Sequence, residues 1–160
     1  MGVFKDTDHM YDVLGGLWKV LFNEEENETF IKFLKDAGLS PEEIKKYQNV
    51  KNEAVKKFND ANITIKFTLS EPEGTIWVIH GDEKPRVILG NYDGKPDVEM
   101  ILSSDNAHKF WLKQLSIPVA LATRKIKTKG SVTKVLGLIP LVNPIFDLYP
   151  KYCQQKGIPV

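Results

Sequence analysis

The side chains in this sequence that could do chemistry are few and scattered. Three histidines, His9, His80 and His108, lie far apart, and none stands in an H-x-x-H or H-x-x-x-H spacing. A metal site needs several ligands converging from different elements, so these histidines carry no metal signature. His80 reads as a strand end and His108 as an exposed helix position. The one thiol, Cys153, has Lys151 and Lys156 near it and nothing else that would lower its pKa. It reads as a structural thiol and not as a nucleophile. Asp82-Glu83 and Asp93 sit beside glycine and proline, where carboxylates shape turns more often than they pair for acid–base work. The chain has no G-x-G-x-x-G, no Walker loop and no G-x-S-x-G elbow. No catalytic residue, metal or cofactor is expected, and the chain does not read as an enzyme.

Composition narrows the remaining classes. At 160 residues the chain fits one domain with a real core, and a formal net charge of +1 points to no particular partner. One cysteine cannot form an internal disulfide. No run reaches about 18 consecutive apolar residues, the length that spans a bilayer. The first residues carry Asp6, Asp8 and His9 and resemble no secretory signal, so a cytoplasmic address is expected. Oligomeric state is not legible.

The elements that would position a site follow from periodicity. Met10, Val13, Leu14, Leu17, Trp18 and Leu21 recur at helical spacing, although Gly15-Gly16 weakens that helix by about 1 kcal/mol per glycine. Asn23 followed by Glu24, Glu25 and Glu26 reads as the cap and acidic first turn of a second helix, which Gly38 stops. Ser40-Pro41-Glu42-Glu43 is a capping box, and a third helix runs from it to about Phe58. At Asn59 the period changes to two. Strands are expected near Ile63–Leu69, Thr75–His80, Arg86–Leu89, Asp97–Leu102 and Ile126–Lys129, with a helix over Ala107, Phe110, Trp111 and Leu115 and a short one from Pro118. Residues 1–58 read as an N-terminal helical segment and 59–155 as the main unit, together one compact domain. The class is α+β: a mostly antiparallel five-stranded sheet, built as a three-strand meander, a crossover and two more strands, with helices covering it.

One stretch stands apart. Asn106 to Phe146 contains no acidic residue and seven cations, Lys109, Lys113, Arg124, Lys125, Lys127, Lys129 and Lys134, yet it is the most apolar part of the chain. Positive charge beside apolar surface suits transient contact with an anionic membrane, with Arg124, Lys125, Lys127 and Lys129 as the contact residues. A solvated basic face beside an ordinary core fits the same residues. Nucleic acid fits less well, because the aromatic residues stand at core spacing and no nucleic-acid module is present. Val135 to Tyr149 is too apolar for an exposed tail, and Gly137, Pro140 and Pro144 argue against one straight helix. It packs as core or covers an apolar cavity.

These segments carry a family resemblance. Pro96-Asp97-Val98-Glu99-Met100-Ile101-Leu102-Ser103-Ser104-Asp105 resembles the strand and helix start of sterol carrier protein type-2 domains. Phe110-Trp111-Leu112, Pro118-Val119-Ala120-Leu121-Ala122, Lys125-Ile126-Lys127-Thr128-Lys129-Gly130 and Val135-Leu136-Gly137-Leu138-Ile139-Pro140 are similar to phrases that follow in that family, and Trp77 matches its tryptophan-containing second strand. The resemblance covers roughly residues 62–149. Lys113-Gln114 stands where the family has glycine, and Arg124 stands where its basic phrase opens with glycine. The resemblance implies an apolar tunnel between sheet and helices that holds a fatty acid, acyl-CoA, sterol or isoprenoid-like lipid. It also leaves open an accessory role beside an enzyme of lipid or quinone metabolism. Carried onto this chain, the implied tunnel lining is Trp77, Ile79, Met100, Phe110, Leu115, Val119, Val135, Leu138, Ile139, Val142 and Phe146.

Overall fold

The period-two segment beyond Asn59 forms a sheet, and the helical segments before and after it form its cover. The computed structural model describes residues 2–22, 27–82 and 84–160, apart from the side chains of Val132, Leu138, Leu141 and Val142. The expected cap at Asn23, the acidic turn at Glu24, Glu25 and Glu26, and Glu83 lie outside the described residues.

Among the described residues, strands β1 (Thr64–Ser70), β2 (Gly74–Ile79), β3 (Arg86–Leu89), β4 (Val98–Ser103) and β5 (Ile126–Gly130) form one sheet in the order β3-β2-β1-β4-β5. The pairs β1–β2, β2–β3 and β4–β5 are antiparallel, as expected. The central pair β1–β4 is parallel, which makes the sheet mixed. A parallel pair needs a crossover, and the chain makes it from β3 over the sheet to β4. Asp97 fixes where it lands. Its carboxylate accepts from Thr64 N–H at 2.7 Å, and its own N–H donates to the Thr64 carbonyl at 2.8 Å. At the other side of Asp97 stands Gly130, with φ +92°, where any Cβ would collide with the Asp97 carbonyl.

The N-terminal stripe forms one helical run: α1 (Thr7–Met10), a π-helical turn at Tyr11–Gly15, and α2 (Gly16–Phe22). The two glycines that weaken it also explain its position. A Cβ on Gly15 would stand 2.8 Å from the Leu89 side chain, and one on Gly16 would stand 3.0 Å from the Tyr152 hydroxyl. Glycine therefore lets this run lie close against β3 and the C-terminal helix. Helix α3 (Asn27–Asp36) follows, then α4 (Pro41–Asp60). The capping box of α4 is formed, with Glu43 N–H donating to Ser40 Oγ at 3.2 Å and Ser40 N–H to Glu43 Oε1 at 3.1 Å. Beyond β4 come α5 (Ser104–Trp111), capped by Ser103, and α6 (Ile117–Ala122), capped by Ser116. After β5 come α7 (Val132–Phe146) and α8 (Tyr149–Lys156).

Two expectations are corrected. Helix α7 runs through Pro140 and Pro144 without ending. Each proline removes a backbone donor, leaving the carbonyls of Leu136 and Pro140 without their usual partners. Tertiary packing outweighs that loss: α7 lies along α4 and buries Val135, Ile145 and Phe146. His108 is not an exposed helix position but is 3% exposed. Its Nδ1 lies 2.7 Å from the Tyr149 hydroxyl and its Nε2 lies 2.9 Å from the Pro159 carbonyl oxygen. Burial lowers its pKa, opposed by the bond to Pro159. Cys153 is buried beside Tyr149, and burial pushes its thiol up to about 11, as suits a structural thiol.

Candidate functional site

Strand alternation sorts the sheet into two faces of opposite character. Ile65, Phe67 and Leu69 of β1, Ile76 of β2, Met100 and Leu102 of β4 and Ile126 of β5 share the inner face. They form the floor of a cavity of ≈ 90 Å³. Its other walls come from helices. Leu14, Trp18 and Phe22, spaced i, i+4, i+8, form one ridge of the α1–α2 run. Val135 and Ile139 form a ridge of α7, Phe58 comes from α4, and Ala107, Phe110 and Trp111 come from α5, with Ile117 at the start of α6.

Aromatic contacts hold much of this wall in place. The Trp18 ring stacks on Phe67 of the central strand with centroids 5.1 Å apart. It meets Trp111 edge-on at 5.4 Å and stacks on Phe22 at 5.4 Å. Phe146 packs against two of these lining aromatics, edge-on to Phe110 at 5.3 Å and to Trp111 at 5.0 Å. Every lining side chain is apolar, so the wall offers no nucleophile, acid or base to a bound molecule. A charge placed there would lose its hydration with nothing to replace it. Among the described residues, no group of three or more histidine, cysteine, aspartate or glutamate side chains could hold a metal ion.

The outer face carries Lys66, Thr68, Trp77, Ile79, Glu99, Ile101, Lys127 and Lys129. Glu99 gathers its neighbours, accepting from the Thr68 hydroxyl at 2.6 Å with Lys66 Nζ at 3.8 Å and Lys129 Nζ at 4.0 Å. Trp77 is 3% exposed although it stands on this face. Tyr92 packs edge-on to it at 5.1 Å, and Lys66 Nζ lies 5.3 Å above its ring.

The residues implied by the resemblance therefore divide. Met100, Phe110, Val135 and Ile139 line the cavity. Phe146 and Leu115 are buried but do not line it, the former packing on the lining aromatics. Trp77 and Ile79 stand on the outer face, because the pairing of Trp77 with Lys66 puts them out of phase with Ile76. Val119 is 59% exposed on α6. The side chains of Leu138 and Val142 lie outside the described residues. Leu14, Trp18 and Phe22 line the cavity although the resemblance does not reach them. The signal was in the sequence: a six-residue apolar stripe with a tryptophan has to be covered by something. Arg124, Lys125, Lys127 and Lys129 are all exposed and follow Val119 along the chain, between the end of α6 and the end of β5.

The sequence profile of the SCP-2 sterol transfer family matches residues 42–143. The chain belongs to that family. The match begins inside α4 and ends inside α7, so it takes in the sheet, and the α1–α2 run lies outside the matched residues. Comparison with the curated proteins finds no match. Among solved structures, the chain is similar to apo sterol carrier protein 2 from Yarrowia lipolytica, with 23% identity, 71% of this chain and 88% of that chain covered, and a TM-score of 0.47. It is also similar to a ubiquinone synthesis protein, UbiJ-SCP2, at 12% identity, covering 57% of this chain and 76% of that one with a TM-score of 0.42. A third is the inverting sec-alkylsulfatase Pisa1 from Pseudomonas sp., at 18% identity and a TM-score of 0.48, where 56% of this chain matches 14% of the enzyme. This chain thus spans a small part of the alkylsulfatase's length. Among the described residues, no helix is long and apolar enough to cross a membrane.

Proposed function

We propose that this protein binds a lipid in the cavity between its sheet and helices, and carries or presents that lipid without chemically changing it. The observation that carries the reading is a cavity with a wholly apolar lining inside a member of a sterol transfer family. Apolar burial is non-directional and contributes about 0.8 kcal/mol per methylene, so a long tail binds such a wall without polar machinery.

Size decides what must happen on binding. At ≈ 90 Å³ the cavity is smaller than the roughly 150 Å³ that accommodates benzene, and ligand pockets generally run to about 300 Å³ or more. A lipid therefore enters by displacing part of the wall. Helix α7 is the element suited to move, since Pro140 and Pro144 interrupt its hydrogen bonding and Val135 and Ile139 face the cavity. The exposed cations Arg124, Lys125, Lys127 and Lys129, with exposed Val119 on the preceding helix, suit brief docking on an anionic membrane while lipid is exchanged.

Native mass spectrometry of the purified protein, beside displacement titrations with fluorescent lipids, tests the reading. A co-purified lipid or micromolar binding is expected. If no fatty acid, sterol or isoprenoid binds at micromolar concentration, the cavity is packing and the reading fails.

A further inference from the structure

The walls of the cavity are held in different ways. The α1–α2 run is tied on several sides. The Tyr152 hydroxyl donates to the Val13 carbonyl at 2.7 Å, and Thr75 N–H donates to the Tyr11 hydroxyl at 2.9 Å. Lys156 Nζ lies 3.2 Å from the Asp12 carboxylate. Gly15 and Gly16 leave no room for a side chain against Leu89 and the Tyr152 hydroxyl. The ridge of Leu14, Trp18 and Phe22 is thus a fixed wall. The ridge on α7 belongs to a helix that packs along α4 and whose own backbone hydrogen bonding is interrupted at two internal prolines.

From this difference we infer that Trp18 sets the class of ligand: the site admits a single flexible acyl or isoprenoid chain and rejects the rigid ring system of a sterol. The inference rests on the lipid-binding reading above. Trp18 lies on Phe67 of the central strand, with Trp111 edge-on beside it, so the bulkiest side chain of its ridge forms the cavity wall above the sheet floor. A flexible chain can follow a narrow, bent path that opens as α7 gives way, because each methylene adjusts separately. A fused four-ring skeleton needs one wide, contiguous space, and the Trp18 ring occupies it. Trp18 also lies outside the part of the chain that matches the family, residues 42–143, so this restriction is a property of the N-terminal run and not of the shared sheet.

The full chain and two variants, Trp18→Ala and Trp18→Leu, test this with two probes, the fluorescent fatty acid cis-parinaric acid and the fluorescent sterol dehydroergosterol. Wild type is expected to bind the fatty acid and to favour it over the sterol by about tenfold or more, within the range a hydrophobic pocket achieves by shape. Trp18→Ala is expected to collapse that ratio, mainly by gaining sterol affinity. Trp18→Leu, which keeps an apolar side chain without the ring, is expected to fall between and to remain folded if the alanine variant does not, with thermal unfolding recorded for each. Equal binding of both probes by wild type, or an unchanged ratio in a folded Trp18 variant, overturns the assignment of Trp18 while leaving lipid binding intact. Failure of wild type and both folded variants to bind either probe overturns the lipid-binding reading itself.

Discussion

The two faces of the sheet are made by the same strands from alternating residues, and they carry different kinds of stability. On the inner face Ile65, Phe67, Met100 and Leu102 meet helices and surround an apolar void. On the outer face Lys66, Thr68, Glu99 and Lys129 gather into a charged, hydrogen-bonded cluster, and Trp77 survives there because Tyr92 and Lys66 cover its ring. A large buried aromatic is therefore no mark of the ligand side. What marks that side is phase along the strand.

The largest effect should come from putting a charge on the inner face. Ile65→Asp buries a carboxylate with no partner, which costs several kcal/mol, so this variant is expected to unfold or to lose most of its urea stability. Ile101→Thr, on the half-buried outer face of β4, is expected to cost about 1 kcal/mol or less. Similar losses from both in a urea titration would erase the distinction between the faces.

Trp77→Ala separates stability from binding. Removing a buried tryptophan costs about 3–5 kcal/mol, so its unfolding midpoint should drop sharply. Fatty-acid affinity of the protein that remains folded should nevertheless match wild type, because Trp77 faces away from the cavity. Ile139→Ala, on the cavity wall, should instead change affinity. A Trp77→Ala protein that stays folded and fails to bind lipid would put Trp77 back into the site.

These variants also show what could be seen in the sequence. Alternation in β1 gives its phase directly, since Ile63, Ile65, Phe67 and Leu69 are apolar and Thr64, Lys66 and Thr68 are polar. The same reasoning fails for β2, where Ile76, Trp77, Val78 and Ile79 are all apolar and pattern gives no phase. Only the register of Trp77 against Lys66 assigns it to the outer face, and register depends on how the turn between the strands closes. The burial of His108 escapes the sequence pattern for a related reason. Its cover comes from Tyr149 and Pro159, dozens of residues later, and local helical spacing carries no information about so distant a partner. The prolines of α7 forecast a break that packing against α4 overrides. Met100 of β4 is in the lining that the resemblance implies, but Ile65, Phe67 and Leu69 of β1 are not, and the contribution of Leu14, Trp18 and Phe22 depends on where the N-terminal run docks.

A smaller effect distinguishes how the two sides respond to pH. On the helix side, His108 is buried between Tyr149 and Pro159 with its pKa lowered, foremost by burial. The unfolded chain then binds a proton more readily than the folded one, so stability rises with pH through this window. The contribution is complete above the unfolded histidine value of about 6.5 and is lost as pH falls toward the lower folded value. Melting temperature should decline on acidification from pH 7 to pH 5 in wild type, and the decline should be shallower in His108→Gln. Parallel profiles for the two proteins would assign the acid sensitivity to other groups.

The smallest change in stability should accompany the most informative change in surface behaviour. Lys127 and Lys129 lie on the exposed face of edge strand β5, with Arg124 and Lys125 just before it and exposed Val119 on the preceding helix. Exposed charges contribute little to folding, so reversing Lys125, Lys127 and Lys129 together to Glu should alter stability by no more than about 1 kcal/mol, including the weak contact of Lys129 with Glu99. Binding to anionic vesicles should nonetheless fall several-fold, and salt should weaken wild-type binding in the same way, since screening acts over about 8 Å at physiological ionic strength. Net charge alone predicts the same outcome for any three reversals. Lys32, Lys57 and Lys113 provide the control. They are exposed, they lie on α3, on α4 and just after α5, and each already pairs with an acid: Asp36, Glu53 and Asp147 respectively. Reversing them leaves the β5 rim intact, so vesicle binding should stay much closer to wild type than in the β5 variant. If both triple variants lose binding equally, attraction is a property of total charge, and the β5 rim has no special place in how the protein meets a membrane.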